Sequence, residues 1–489
     1  MAIRNRGFGI VPFFPGRVLH AITWAVFLAG CAGPQGADRR PSPSPDVPTR
    51  ASSVLLITVD TLRADRLSTY GYDRPTSPRI DRLASEGALF EKAFAQRGLT
   101  WPSISSIMTS RYPRDHGVRD NGQWLAKSKL TLAEILNQAD FRTAAFLTNM
   151  TNAPNRGFEY KEVFPVDAPE ADSDRPTDTL ATEAALRWLE ANGESRFFLW
   201  LHLLAPHASY APPTEFENLF LEGLTPVSGD MDDLWRITSG DRHASAEELT
   251  SIQALYDAEI AFTDHLVGLV LDQLDEMGLA DTTMVILTAD HGEELYQRHK
   301  YFFHQCSVYD SVLQLPLIVR YPQKIEPNQR IQATVQSLDF APTILEILGI
   351  SIPPDFKGRS LVSMMTQTEA AETPARKTTI GVAFAELGTE IESVRTSKWR
   401  LVLNPNQARV QAGRGEEGRS CYLVGQAELY DLRADPNEQV NVFSQHPEVA
   451  AELTEMLRAW HQTTPETELG DGSVHEETLR ELRALGYVQ

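Results

Sequence analysis

From residue 53 to 59 the chain reads Ser-Val-Leu-Leu-Ile-Thr-Val, an unbroken apolar and β-branched run of the kind that suits a strand buried on both faces. Similar runs recur at 143–147, 197–203, 283–288 and 315–319. Helical patterns lie between them. Ser77-Pro78 opens one that Gly87 closes, Thr131 to Glu134 is a capping box before a second, and Tyr256, Ile260, Val267, Val270 and Leu274 recur at helical spacing through a third. Strands alternating with helices predict an α/β fold with a mostly parallel central sheet and helices on both faces. In such sheets ligands bind beyond the C-terminal strand ends, the position that Asp60 and Asp290 both occupy. From about residue 378 the pattern changes to short strands at 379–384, 393–395, 401–403 and 428–432, which predicts a smaller α+β subdomain. The expected organisation is a main body at 51–375 and a C-terminal subdomain with a helical tail at 376–489. The acid-rich stretch 214–248 reads as a solvated surface loop.

Of 489 residues, 42% are apolar and 23% charged, which supplies a large core and excludes wholesale disorder. The net charge of −21 repels a phosphate backbone, so nucleic-acid binding through a basic face is excluded, and an anionic substrate needs local cations or a metal. Three cysteines are too few for a disulfide scaffold or a cysteine-rich zinc module. The first of them belongs to an address. Arg4, Arg6 and Arg17 precede a mostly apolar run that ends Leu28-Ala29-Gly30-Cys31. That ending resembles a bacterial lipobox, which implies a signal peptide at 1–30, lipidation at Cys31 and a Pro-rich tether at 31–50. Ala32, where an inner-membrane lipoprotein carries aspartate, implies an outer-membrane lipoprotein of the cell envelope facing the periplasm. Cys306 and Cys421 remain for the folded body.

Three segments carry the candidate chemistry: 59–65 around Asp60, 100–117 beginning Thr100-Trp101-Pro102-Ser103, and 288–293 containing Asp290-His291-Gly292-Glu293. Asp60, Asp290 and His291 offer two carboxylates and an imidazole to a divalent cation, although an Asp-His pair after a strand also serves as a plain loop cap. Pro102 is placed as the first residue of a helix, with Thr100 or Trp101 as its cap. A threonine oxygen there would face free backbone N–H groups and the positive helix end, where an oxyanion is stabilised; a structural N-cap is the other reading. A neutral hydroxyl becomes a nucleophile when a metal or base lowers its pKa.

Together with His202-Leu-Leu-Ala-Pro206-His207, Leu338 to Thr343, Gly358-Arg359-Ser360, Glu428 to Leu432, Asp435-Pro436 and the terminal 482–487 segment, these motifs resemble the sulfatase family of the alkaline phosphatase superfamily over nearly all of 53–489. The departures are specific. The family's formylglycine cysteine is replaced by Thr100, which cannot become an aldehyde, and its supporting arginine by Ile104. The adjacent aspartate pair of the family's metal site is Asp60-Thr61, and a lysine- and histidine-bearing segment is replaced by Thr148-Asn149-Met150. Related branches, the lipoteichoic acid synthases and phosphoethanolamine transferases, use a threonine nucleophile with one divalent metal. Their ligand set corresponds by position to Asp60, Thr100, Asp290 and His291. The resemblance therefore implies one divalent ion (zinc, manganese or calcium) and phosphoryl or substituted phosphoryl transfer through Thr100 on a small-molecule, lipid or glycan ester. His207 and His304 are the candidate proton donors, Arg63 and Lys300 the candidate anion contacts, and His202 reads as a core histidine. The alternatives are a sulfuric ester hydrolase and a catalytically silent fold that binds an anionic glycan.

Overall fold

Eight strands form the large sheet: β1 (Ser53–Val59), β2 (Ala88–Phe94), β3 (Arg142–Thr148), β4 (Tyr160–Phe164), β5 (Phe197–Leu203), β6 (Thr283–Ala289), β7 (Gln314–Arg320) and β8 (Gln329–Gln336), in spatial order β8-β2-β7-β6-β1-β5-β3-β4. The computed structural model describes residues 52–464, 466 and 467, apart from 150–155, 167, 170, 173–174, 299, 367–380, 389, 409–410, 413–418 and 421–424. The signal and tether with Cys31, Cys421 and the terminal 482–487 motif lie outside these residues.

The centre of the sheet follows from its composition. β1, β5 and β6 are buried along their whole length, as continuous apolar runs require, and they pair in parallel. β7 differs from the expected parallel run, because it is antiparallel to both β6 and β2. A parallel return needs a crossover, usually a helix. The chain between β6 and β7 instead folds back at the same end of the sheet, where Gly292 N–H donates to Val312 O at 2.7 Å. Three strands carried no continuous apolar signal: β2 holds Glu91 and Lys92 at its middle, while β4 and β8 are polar edge strands.

Helices flank this sheet. α1 (Pro78–Ser85) starts from Ser77 with Pro78 at its first position, and Gly87 follows it because a Cβ there would lie 2.3 Å from Val319 O. α2 (Thr100–Thr109) is buried at every position. α3 (Leu132–Gln138) carries the expected Thr131–Glu134 capping box. α4 (Thr177–Asn192) and the 31-residue α5 (Ala246–Glu276), capped by Ser245 and Glu248, follow. The 214–248 stretch is not a plain loop. It forms helices at Thr214–Leu221 and Met231–Thr238, the second burying Leu234, Trp235 and Ile237, because apolar residues at helical spacing hide among its acids.

The C-terminal region forms a second, antiparallel sheet of β9 (Ala383–Leu387), β10 (Ile391–Arg395), β11 (Trp399–Leu403) and β12 (Ala427–Asp431). Residues 379 and 380 of the expected first strand lie outside the described chain. α6 (Pro447–Thr463) packs on this sheet through its own apolar core, in which Trp460 stacks on Phe384 at 5.3 Å and meets Tyr112 of the main body edge-on at 5.3 Å. An ionic clamp joins the two sheets. Asp310, in the turn before β7, accepts from Arg395 of β10 at 2.9–3.1 Å and from Arg400 of β11.

Candidate active site

Val59 of β1 lies opposite Ala289 of β6, so Asp60 and Asp290, the next residue of each chain segment, leave adjacent strand ends at one level. The main chain there is held from three sides. Asp60 N–H donates to Leu203 O at 2.8 Å, and Tyr256 of α5 donates its hydroxyl proton to Thr61 O at 2.7 Å while accepting Arg63 N–H at 3.1 Å. Ser103 of α2 donates to Asp290 O at 2.5 Å, which fixes the first turn of α2 against the end of β6.

Thr100 is the first residue of α2, and Leu99 is its cap. This corrects the expected start at Pro102. Proline costs nothing at the third helical position, because an N–H there has no intrahelical acceptor. The expected cradle of free amides is also corrected. Trp101 N–H donates to Asn121 Oδ1 at 3.0 Å, Pro102 has none, and Ser103 N–H donates to Leu99 O at 3.0 Å. What α2 offers the Thr100 oxygen is its own amide and the direction of its dipole.

Around that oxygen the charged groups converge. Thr100 Oγ1 lies 3.4 Å from Asp60 Oδ2 and 3.4 Å from His291 Nε2. His291 Nε2 lies 3.6 Å from Asp60 Oδ1 and 3.4 Å from Asp290 Oδ2. With Nδ1 3.1 Å from Gly292 O, the ring proton is placed on Nδ1, and the Nε2 lone pair faces the carboxylates. Among the described residues, Asp60, Asp290 and His291 form the group whose donor atoms all lie within 4.8 Å of one another.

The residues fit a divalent cation. Asp60 Oδ1 and Asp290 Oδ2 are buried and have no hydrogen-bond partner, an arrangement that costs about 1–3 kcal/mol per group, more for charged ones, unless something compensates. Burial and, for Asp60, repulsion from Asp290 and Glu293 hold both carboxyls well above their ordinary range, and burial holds His291 well below its own. Two carboxylates, a neutral imidazole and a hydroxyl are the donors such an ion takes. Asp290→Asn is expected to weaken divalent-metal affinity by more than the roughly 10–100-fold typical of an outer partner. It is also expected to raise the melting temperature of the metal-free protein by relieving repulsion. Metal titration and paired melting curves check this, and unchanged affinity would remove Asp290 from the ligand set.

Three imidazoles surround this centre. His304 packs 4.3 Å, ring to ring, from His291, and its Nδ1 lies 3.2 Å from Glu293 Oε1. Burial pushes Glu293 up to about 8 and His304 down to about 3, which keeps the pair close to net neutrality. His207, pushed down to about 4 by burial and by His304, packs 5.3 Å from His304 and lines a cavity of about 1060 Å³. Asp230, Asp232 and Arg236 of the 214–248 region line it too, so that segment shapes the space beside His207. His202 is buried as expected, yet its Nε2 faces Asp60 Oδ2 at 3.8 Å.

Arg63 is placed elsewhere. Its guanidinium holds Asp65 at 2.6–2.8 Å and Glu293 O at 2.9 Å, and it borders a separate cavity shared with Glu294 and Glu438. Lys300 is exposed in the turn between the short strands Glu294–Leu295 and Phe302–Phe303. Two buried side chains were given no role from the sequence. Glu293 was visible only as a neighbour of His291, although its place beyond β6 put it in reach. Asn149 follows β3 at a φ of 55°, is 5% exposed, and leaves both amide atoms without partners. Cys306 is disulfide-bonded, with its partner outside the described residues.

The description "Sulfatase" belongs to the family model that matches residues 52–350, and a model for the C-terminal part of N-sulphoglucosamine sulphohydrolase matches 298–405. An N-acetylglucosamine-6-O-sulfatase of Bacteroides thetaiotaomicron is 22% identical over 93% of this chain and 92% of its own. Arylsulfatase K of Mus musculus is 24% identical over 84% and 79%. In fold, the chain resembles a protein solved in complex with its substrate D-glucosamine-2-N,6-O-disulfate (TM-score 0.69, 20% identity, covering 85% of this chain and 98% of that one). It equally resembles the phosphonate monoester hydrolase of Agrobacterium radiobacter (TM-score 0.67, 20% identity, 84% and 96%).

Proposed function

The chain belongs to the sulfatase family, and from that premise we propose that it is a metal-dependent ester hydrolase or transferase whose nucleophile is Thr100 and whose transferred group is phosphoryl or substituted phosphoryl. The observation that carries this reading is the placement of Thr100 Oγ1, 3.4 Å from both Asp60 Oδ2 and His291 Nε2 at the first residue of α2.

The choice of phosphorus over sulfur rests on how the intermediate leaves. A hydrated formylglycine expels sulfate by collapsing to its aldehyde, and Thr100 has no such exit. A phosphorylated threonine is displaced in line by water or an alcohol, which restores the hydroxyl. A divalent cation held by Asp60, Asp290 and His291 would supply charge neutralisation and a lowered hydroxyl pKa. The chain's own residues do the rest. Thr100 Oγ bonds to phosphorus as the bond to the leaving alcohol breaks, its own proton passing to Asp60 Oδ2 at 3.4 Å. His304 delivers the proton that alcohol needs and is resupplied at Nδ1 by the neutral carboxyl of Glu293, while His207, with Nδ1 against Ala208 O at 2.6 Å, positions the acceptor. Glu293 orients His304 through Nδ1 and holds a transferable proton beside it. The cavity bordered by His207 gives the leaving group room.

A second reading has one observation in its favour: both relatives named above are sulfatases, which favours sulfuric esters. Purified protein assayed in parallel on an aryl phosphate, an aryl phosphodiester and an aryl sulfate separates the two. Phosphorus ester turnover at least ~100-fold above sulfate turnover, about 2.7 kcal/mol of discrimination, is expected. An acid-quenched phospho-adduct mapping to Thr100 is expected with it. Sulfate turnover without an adduct would establish the second reading. Ligand binding without any turnover would leave a silent fold.

A further inference from the structure

We infer that His202 is a positioning residue for Asp60, locked by a hydrogen-bond chain running from Trp200 through Thr58 so that its Nε2–H is presented to Asp60 Oδ2. The inference rests on the reading of Asp60 as a metal ligand and adds to it the group that decides which carboxylate oxygen does the ligating.

The chain of contacts is short and buried. Trp200 Nε1 donates to Thr58 Oγ1 at 2.8 Å, and an indole N–H can only donate. Thr58 Oγ1 lies 2.8 Å from His202 Nδ1; the indole cannot take the buried hydroxyl's proton, and among the described residues Nδ1 is the neighbour of that oxygen that can, so the geometry points to donation from Thr58 to Nδ1. Nδ1 is then an acceptor, so the imidazole proton resides on Nε2. That nitrogen is buried, has no hydrogen-bond partner, and faces Asp60 Oδ2 at 3.8 Å. Thr58 and His202 are direct partners in the parallel β1–β5 register, so the backbone ladder fixes the spacing before any side chain is placed.

The consequence falls on the two oxygens of Asp60. Oδ2 is approached by His202 and by the Thr100 hydroxyl. Oδ1 has no partner and lies 3.6 Å from His291 Nε2. At 3.8 Å the N–H acts on Oδ2 as an oriented dipole and not as a hydrogen bond; it favours negative charge on the oxygen that also meets the Thr100 hydroxyl, and it leaves Oδ1 as the open ligand atom. In this chain Thr61 stands where the family's second metal-site carboxylate would be, so the orientation of the single carboxylate has no backup from its neighbour.

The test compares full-length protein with His202→Gln and His202→Asn, each titrated with Mn²⁺ and Zn²⁺ by calorimetry after chelator treatment. Glutamine carries an amide donor at the Nε2 position, whereas asparagine fills the Nδ1 position and leaves nothing facing Asp60. Affinity within about 3-fold of wild type for Gln and a loss of roughly 10–100-fold for Asn is the expected result. Equal affinities in the two variants, or equal losses that track an equal drop in melting temperature, would overturn it. Should both variants fail to fold, the ¹⁵N pattern of wild-type His202 decides. A proton on Nε2 supports the inference, and a proton on Nδ1 overturns it. Failure of the wild type to bind either metal would instead remove the ligand reading of Asp60.

Discussion

Thr100→Ala is expected to lower turnover of the preferred ester by on the order of 10⁴-fold or more, because a site organised around one attacking oxygen has no substitute for it. Bound metal should stay close to the wild-type amount, since the carboxylates of Asp60 and Asp290 and the neutral imidazole of His291 would remain as ligands without the hydroxyl. Thr100→Ser keeps an oxygen and should recover part of the rate, losing some through the freer rotation of a side chain without the methyl group. Steady-state kinetics with metal analysis on the same samples checks this. An alanine variant that retains metal and turns over at near the wild-type rate would sink the nucleophile.

The largest stability effect is expected at Asp310. It is the shared acceptor of Arg395 and Arg400, its side chain is 15% exposed, and the guanidinium groups hold its carboxyl down to about 2. Asp310→Asn leaves two buried cations facing a neutral amide, and breaking a buried pair in this way costs about 3–5 kcal/mol. The sign of the pH dependence follows. Because the folded carboxyl is depressed below its ordinary value of 3.8, its contribution is fully present above that value and is lost as pH falls toward about 2. Denaturant unfolding of both proteins at pH 7 and near pH 2.5 should show the gap between wild type and variant narrowing in acid. A constant gap would mean that the clamp is not ionic.

What the chain disclosed before folding divides along physical lines. Buried central strands announce themselves as continuous apolar runs, so β1, β5 and β6 were legible almost to the residue, and the carboxylates at their ends with them. Edge strands face water and blend with loops, which hid β4 and β8. The direction of β7 could not be read from its composition, because a strand's side chains are the same run either way, and the turn that reverses it has no sequence mark of its own. The side chains that converge beyond β1 and β6, Asp60, Thr100, Asp290 and His291, stood out in the sequence as candidates through their motifs and the family resemblance, each with a plain capping role as the other reading. The site was illegible where a role depends on a neighbour three-dimensionally across the sheet. His202 looks like any core histidine until Thr58 is found opposite it, and Arg63 looks like an anion contact until Asp65 and the Glu293 carbonyl claim its guanidinium.

The reversal of β7 has an evolutionary corollary. Because that strand enters the sheet at the end where β6 leaves it, the excursion between them carries both His304 and Asp310 and is anchored at each side, Gly292 to Val312. Its length cannot drift in descendants without displacing the imidazole or unfastening the C-terminal sheet. The connection between β7 and β8 lies at the opposite pole of the sheet and carries neither, so insertions and deletions among homologous chains should accumulate there and be purged from the first.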